Sequence, residues 1–187
     1  MKPLLNTTLL FLLLVIGFSG VVSGQDEADF YETKRLAERG LAFAQVNLGL
    51  MYDLGVGVPE NKAEAARWYR LAAEQGYASG QYNLGLMYDL GEGVPGNDAE
   101  AVRWYGLAAE QGNALAQSNL GLMYANGEGV PQNNVRAHMW WSVSAAQGHE
   151  DARANRDIIA QLLTPEQLTR GQGRATRCFE SDYKDCE

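Results

Sequence analysis

Apolar residues recur along this chain at a helical period, and the same stripe comes back at a fixed interval. Ala44, Leu48, Met51 and Tyr52 fall at i, i+4, i+7 and i+8, one face of a 3.6-residue period. Ala116, Leu120, Met123 and Tyr124 repeat that stripe, and the copy between them has Gly80 in place of the leading alanine. The string NLGLMYDLGEGVP, from Asn83 to Pro95, has near copies from Asn47 to Pro59 and from Asn119 to Pro131, each displaced by 36 residues. Each copy closes on two glycines, a valine and a proline, which stop a helix and let the chain reverse.

A second helix follows each reversal. It carries Ala65, Trp68, Tyr69, Ala72 and Ala73, then Ala101, Trp104, Tyr105, Ala108 and Ala109, then Ala137, Trp140, Trp141, Ser144 and Ala145. Aromatics on one turn and small residues on the next let two helices approach closely while the rings fill the gaps. Gly76, Gly112 and Gly148 end these helices as left-handed caps. The unit is helix, turn, helix, turn, and one such hairpin cannot bury both of its apolar faces alone. The predicted fold is therefore all-α, a solenoid of stacked helix-turn-helix repeats over 41–76, 77–112 and 113–148.

The flanks read as caps. DFYETKRLAERG resembles a second helix ending at Gly40 and gives an N-terminal capping helix over 25–40. Ala152 and Asn155 keep the register of Ala44 and Asn47, and Thr164 with Pro165 opens a further helix, so 149–175 holds C-terminal capping helices. A tail over 176–187 contains Cys178 and Cys186, an even pair eight positions apart whose simplest use is one disulfide.

Residues 1–24 read as a secretory signal peptide: Lys2, an apolar run from Leu9 to Ile16, then small residues up to Gly24, after which cleavage is expected. The segment from Leu9 to Val22 spans 14 residues, short of the ~20 that a membrane-spanning helix needs, so no stable membrane anchor is expected after cleavage. The expected location is secreted or periplasmic. Removing 1–24 moves the formal charge from -8 to -9. With no clustered Lys/Arg stretch, phosphate backbones and anionic lipid surfaces repel such a chain, so no nucleic-acid partner is expected.

The pattern A-x-x-x-L-G-x-x-Y-x-x-G, then G-V-P, A-x-x-W-Y-x-x-A-A and Q-G, resembles the Sel1-like repeat family, a tetratricopeptide-related class. Ala44, Leu48, Gly49, Tyr52, Gly55, Gly57, Trp68, Tyr69, Ala72, Ala73 and Gly76 carry the resemblance in the first unit. It implies a right-handed superhelix that acts as an adaptor, holding a protein or peptide on its concave face. A cysteine-rich secreted branch of the family is associated with β-lactam binding or hydrolysis and carries a cysteine pair in every repeat. This chain has no cysteine in its repeats.

Candidate chemistry is sparse. GEGVPG, from Gly91 to Gly96, formally matches a dinucleotide fingerprint but follows a helix rather than a strand, and Glu60 and Gln132 stand where Gly96 does. His138 and His149 are 11 residues apart on different elements, with no Cys, Asp or Glu at zinc-site spacing. Glu60, Glu64, Asp98 and Glu100 lie near helix starts, where negative charge suits the macrodipole. Ser142, Ser144 and His138 form no triad readable in sequence. The expectation is a non-enzyme without cofactor or metal. A cell-envelope hydrolase of the β-lactam or peptidoglycan type, or a glycan-binding module using aromatics such as Tyr82, are the alternatives.

Partner-binding residues are expected opposite the packing stripe. That side holds Val46, Leu50 and Asp53, then Tyr82, Leu86 and Asp89, then Ser118 and Leu122, with Asn47, Asn83 and Asn119 at its edge. Positions 46, 82 and 118 differ while their neighbours repeat, as expected of a face that is either unconstrained or matched to a ligand. Asparagine is a mediocre helix former. Its triplication serves either to hold the main chain of an extended peptide or to bond the adjacent hairpin.

Overall fold

The computed structural model describes residues 24–186. The leader expected over 1–24 lies outside the described residues except for Gly24, which opens the first helix. Among the described residues there are nine helices and no strand: α1 (Gly24–Glu38), α2 (Ala42–Leu54), α3 (Lys62–Glu74), α4 (Ala78–Leu90), α5 (Asp98–Ala109), α6 (Ala114–Asn126), α7 (Asn134–Ala146), α8 (Glu150–Ala160) and α9 (Pro165–Glu180).

Three hairpins, α2–α3, α4–α5 and α6–α7, stack in chain order, and each second helix also packs on the first helix of the next hairpin. The apolar stripe forms the spine, with Leu48, Leu84 and Leu120 buried beside Tyr69, Tyr105 and Trp141. Trp104 is buried as well. The leucine-glycine step of each first helix has a steric cause. A Cβ on Gly85 would lie 2.8 Å from the Tyr105 ring, and one on Gly121 would lie 2.7 Å from Trp141 Nε1. Glycine costs helix stability, but here it makes room for a buried ring of the partner helix.

Local chemistry fixes the ends. Gly55, Gly91 and Gly127 cap the first helices in the left-handed conformation. The second helices start at Asn61, Asn97 and Asn133, whose side chains accept from the backbone N–H three residues on. α9 opens with the capping box of Thr164 and Gln167, with Pro165 in its first turn. His149 caps α8, its Nδ1 accepting from the Ala152 N–H at 3.2 Å.

A glutamine ladder absent from the sequence reading ties the hairpins together. Gln45, Gln81 and Gln117, all buried, donate to the carbonyls of Ala37, Ala73 and Ala109 in the last turn of the preceding helix, at 3.3, 3.4 and 3.0 Å. Gln75, Gln111 and Gln147 then donate to their Oε1 atoms at 2.6, 2.6 and 2.7 Å. Each buried amide is satisfied by one rung from each neighbouring second helix, which turns a polar cost into a register mark.

The solenoid ends at α8. In register with Leu48 and Tyr52 it carries Arg156 and Ala160, while Ala152 and Ile159 keep the buried positions of Ala44 and Met51. α9 lies along α7 rather than pairing with α8. Gly171 faces buried His138, and Ala175 and Phe179 share a hollow with Ser142 and Ala146, so α9 runs in the direction of α7. Cys178, in the last turn of α9, forms a disulfide with Cys186 in the tail, and the ring of Tyr183 between them packs over Gly112.

Candidate partner-binding groove

A groove of about 500 Å³ crosses the first helices α2, α4 and α6. α2 contributes Phe43, Val46, Asn47 and Leu50; Tyr77, at the start of α4, precedes Ser79, Tyr82 and Asn83; Asn113 and Leu115 come from the start of α6. None of these residues is charged. Phe43, Leu50, Tyr77 and Leu115 are all exposed, while Val46 is buried beneath them as floor.

Five residues expected on this face, Val46, Asn47, Leu50, Tyr82 and Asn83, are brought together here. Leu86, half-buried, and Leu122, exposed, hold the positions of Leu50 on the next two helices. The other four are engaged inside the protein. Asp53 pairs with Lys62 at 2.8 Å, and the Tyr69 hydroxyl lies 3.5 Å from its second oxygen. Asp89 accepts from the Tyr105 hydroxyl at 3.0 Å. Ser118 is buried, with its carbonyl accepting from Trp141 Nε1 at 3.0 Å. The Asn119 amide bonds the Tyr105 hydroxyl, so at this copy the asparagine serves the adjacent hairpin. Among the described residues the side chains of Asn47 and Asn83 have no such partner. The spent carboxylates leave this groove neutral within a strongly acidic chain.

Burial pushes the Asp89 carboxyl up; the Tyr105 hydrogen bond opposes this, and the nearby Asp98 and Glu128 charges add to it. Burial likewise raises Tyr69 and Tyr105, with Asp53 and Asp89 adding to it. Tyr82 is not a free aromatic platform of the kind a sugar stacks on. It is half-buried, its ring centroid 6.0 Å from that of Tyr105, and burial raises its hydroxyl too.

Sequence reasoning missed Phe43, Tyr77, Ser79, Asn113 and Leu115. The available signal was variation: positions 43, 79 and 115 read Phe, Ser and Leu at the repeat interval, as 46, 82 and 118 read Val, Tyr and Ser. Asn113 does a second task, accepting from the Ala116 N–H at 2.9 Å as the cap of α6.

The groove can offer apolar surface, amides and hydroxyls, but no acid, base or charge. Among the described residues no group of three or more His, Cys, Asp or Glu could hold a metal ion, and no helix is long and apolar enough to cross a membrane. Smaller hollows are one of about 280 Å³ among α5, α6 and α7, beside Arg103, Glu110 and Trp140, and one of about 320 Å³ between α7 and α9.

Stacked hairpins with a glutamine-pinned register and an open, uncharged groove define an α-solenoid scaffold. The chain belongs to the Sel1 repeat family, whose model matches residues 42–77, 78–113 and 114–149, more than half of its length. Among solved structures it is similar to a protective antigen of uropathogenic Escherichia coli displaying an SLR fold, with TM-score 0.70 and 35% identity over 83% of this chain and 37% of that one. It is also similar to a Sel1 repeat protein from Oxalobacter formigenes, with TM-score 0.69 and 33% identity over 81% of this chain and 62% of that one. A chitin synthase regulator, SKT5, of Malassezia restricta is 34% identical over 58 residues, which are 31% of this chain and 4% of that protein. This chain thus spans less than two thirds of each of these relatives. The two solved structures are an SLR-fold protein and a Sel1 repeat protein, and the Sel1 repeat fold is a scaffold that typically mediates protein interactions.

Proposed function

We propose that this protein is an exported scaffold that holds a protein or peptide partner in the groove across α2, α4 and α6. The observation that carries the reading is the groove itself, where exposed Phe43, Leu50, Tyr77 and Leu115 stand beside the uncommitted amides of Asn47 and Asn83. Apolar side chains exposed together on one face mark an interaction site, and the amides add main-chain recognition. Export is supported by the apolar run from Leu9 to Ile16 and by the Cys178–Cys186 disulfide, a bond that persists in oxidising compartments.

The test is co-purification from the exported fraction, with the captured protein identified by mass spectrometry. Leu50→Asp places a charge in the groove at an exposed position and should remove the partner while the helical content stays. If the partner follows Leu50→Asp unchanged and is lost with Arg103→Glu on α5, the groove reading is wrong.

A further inference from the structure

We propose that a hollow between the start of α7 and the turn from α8 to α9 binds a single uncharged sugar ring. It is separate from the groove, and neither reading depends on the other.

The hollow arises where the repeat stops. In the first two units the start of the second helix is covered by the glycine turn of the next unit. Gly93 and Gly129 set their backbones against Lys62 and Asp98, so closely that a Cβ on either glycine would strike the carbonyl below it. Asn134 holds the same position at the start of α7. The residues across from it are Leu162 and Leu163, from the turn after α8, and Gln167 in the first turn of α9. A space of about 310 Å³ is left between them. That is near the lower end of the ~300–1,000 Å³ range of small-molecule sites, room for one ring rather than a chain.

The lining also departs from the other units in chemistry. Glu60 and Lys62 of the first unit form an ion pair at 4.0 Å. Gln132 and Asn134 stand in their places in the third unit. With Asn133 and Gln167 they make a lining of carboxamides that holds no charged side chain. Three of these amides are held by one half and open at the other. Gln132 Nε2 donates to the Ala125 carbonyl at 2.7 Å, which leaves Oε1. Asn133 Oδ1 accepts from the Arg136 N–H at 3.0 Å, which leaves Nδ2. Gln167 Oε1 accepts from the Thr164 N–H at 2.9 Å, which leaves Nε2. Asn134 Oδ1 is buried and has no partner among the described residues.

Two acceptors and two donors are therefore open on the residues that line one hollow. A hydroxyl both gives and takes a hydrogen bond, so hydroxyls on neighbouring carbons of a sugar satisfy both kinds together. A carboxylate only accepts and would set its charge against Gln132 Oε1 and Asn134 Oδ1, while an ammonium only donates and would meet the two NH2 groups. Asn134 Oδ1 is the anchor, because a buried acceptor without a partner carries a cost that a ligand hydroxyl removes. Val135, Leu162 and Leu163 supply apolar surface for the C–H faces of the ring.

Amide chemical shifts of the purified protein, followed by NMR during titration, test this. The neutral probes are glucose, galactose, mannose and N-acetylglucosamine. Glucosamine and glucuronate are the charged ones, and N-acetylalanine methylamide stands for a peptide group. At least one neutral ring should saturate, shift amides over 132–135 and 162–167, and bind about tenfold more tightly than either charged ring. Asn134→Ala should weaken it about fivefold, and so should Gln167→Glu, which keeps the acceptor that caps α9 but removes the donor. Leu50→Asp, in the groove, should leave it unchanged, and circular dichroism of each variant should match that of the parent. Saturation by no neutral ring overturns the proposal, as does equal binding of a charged ring or tighter binding of the peptide probe. Shifts confined to the groove, or an affinity that neither Asn134→Ala nor Gln167→Glu moves, overturn it too.

Discussion

Gln147 Nε2 donates to Gln117 Oε1 at 2.7 Å across 30 residues of sequence, and Gln117 in turn donates to the Ala109 carbonyl of the preceding hairpin at 3.0 Å. One buried amide therefore joins two hairpins. Replacing Gln117 by leucine keeps the volume but removes the link to the Ala109 carbonyl, which retains the Gly112 N–H at 3.0 Å, so the loss is that of one buried hydrogen bond, about 0.5–1.5 kcal/mol. Urea denaturation should show the midpoint falling with the slope unchanged. Gln147→Ala, at an exposed position, should cost well under half as much.

The glycines of the helices are not equivalent. Alanine at Gly85 would set a methyl 2.8 Å from Tyr105 in a buried seam, whereas the nearest group around Gly173 is the end of the Arg177 side chain at 3.9 Å. Gly85→Ala should destabilise by about 1–3 kcal/mol through overpacking, against the helix preference for alanine. Gly173→Ala should stabilise by about 0.5–1 kcal/mol. Thermal melts of the two variants should move in opposite directions.

His138 supplies a pH dependence. Its ring is buried against Gly171, its Nδ1 has no partner, and burial lowers its pKa; Arg156 on α8 lowers it further and Asp157 opposes. The unfolded chain binds this proton more readily than the folded one. The stability from neutral His138 is therefore complete above the unfolded value of ~6.5 and is lost as pH falls from there towards the folded pKa. Comparing urea midpoints across that window, His138→Gln should flatten the fall.

The disulfide holds the end of α9 and with it Tyr183 over Gly112. Cys178→Ser with Cys186→Ser should cost about 2–3 kcal/mol by the chain-entropy account. Hydrogen exchange should show the loss concentrated in α9, with α2–α5 still protected. Uniform loss over the whole chain would contradict this placement.

Much of the spine is legible in sequence because it repeats: Leu48, Tyr69 and Trp104 recur at one interval, and a buried stripe must keep its period. The groove is legible only in part. Asp53, Asp89 and Asn119 face the expected side but bond to Lys62, Tyr105 and Tyr105 respectively, partners that lie on other helices. Phe43 and Leu115 were hidden because variable apolar residues near a helix start read equally well as packing. The course of α9 along α7 lies outside the repeat, so no period announces it.

The claim on which the account turns is that the partner lies along the first helices. A photoreactive amino acid at position 50, with a second at position 103 on α5 as control, locates it directly. The account predicts crosslinks to one defined partner segment from position 50 and none from 103. Crosslinking from 103 alone would contradict it.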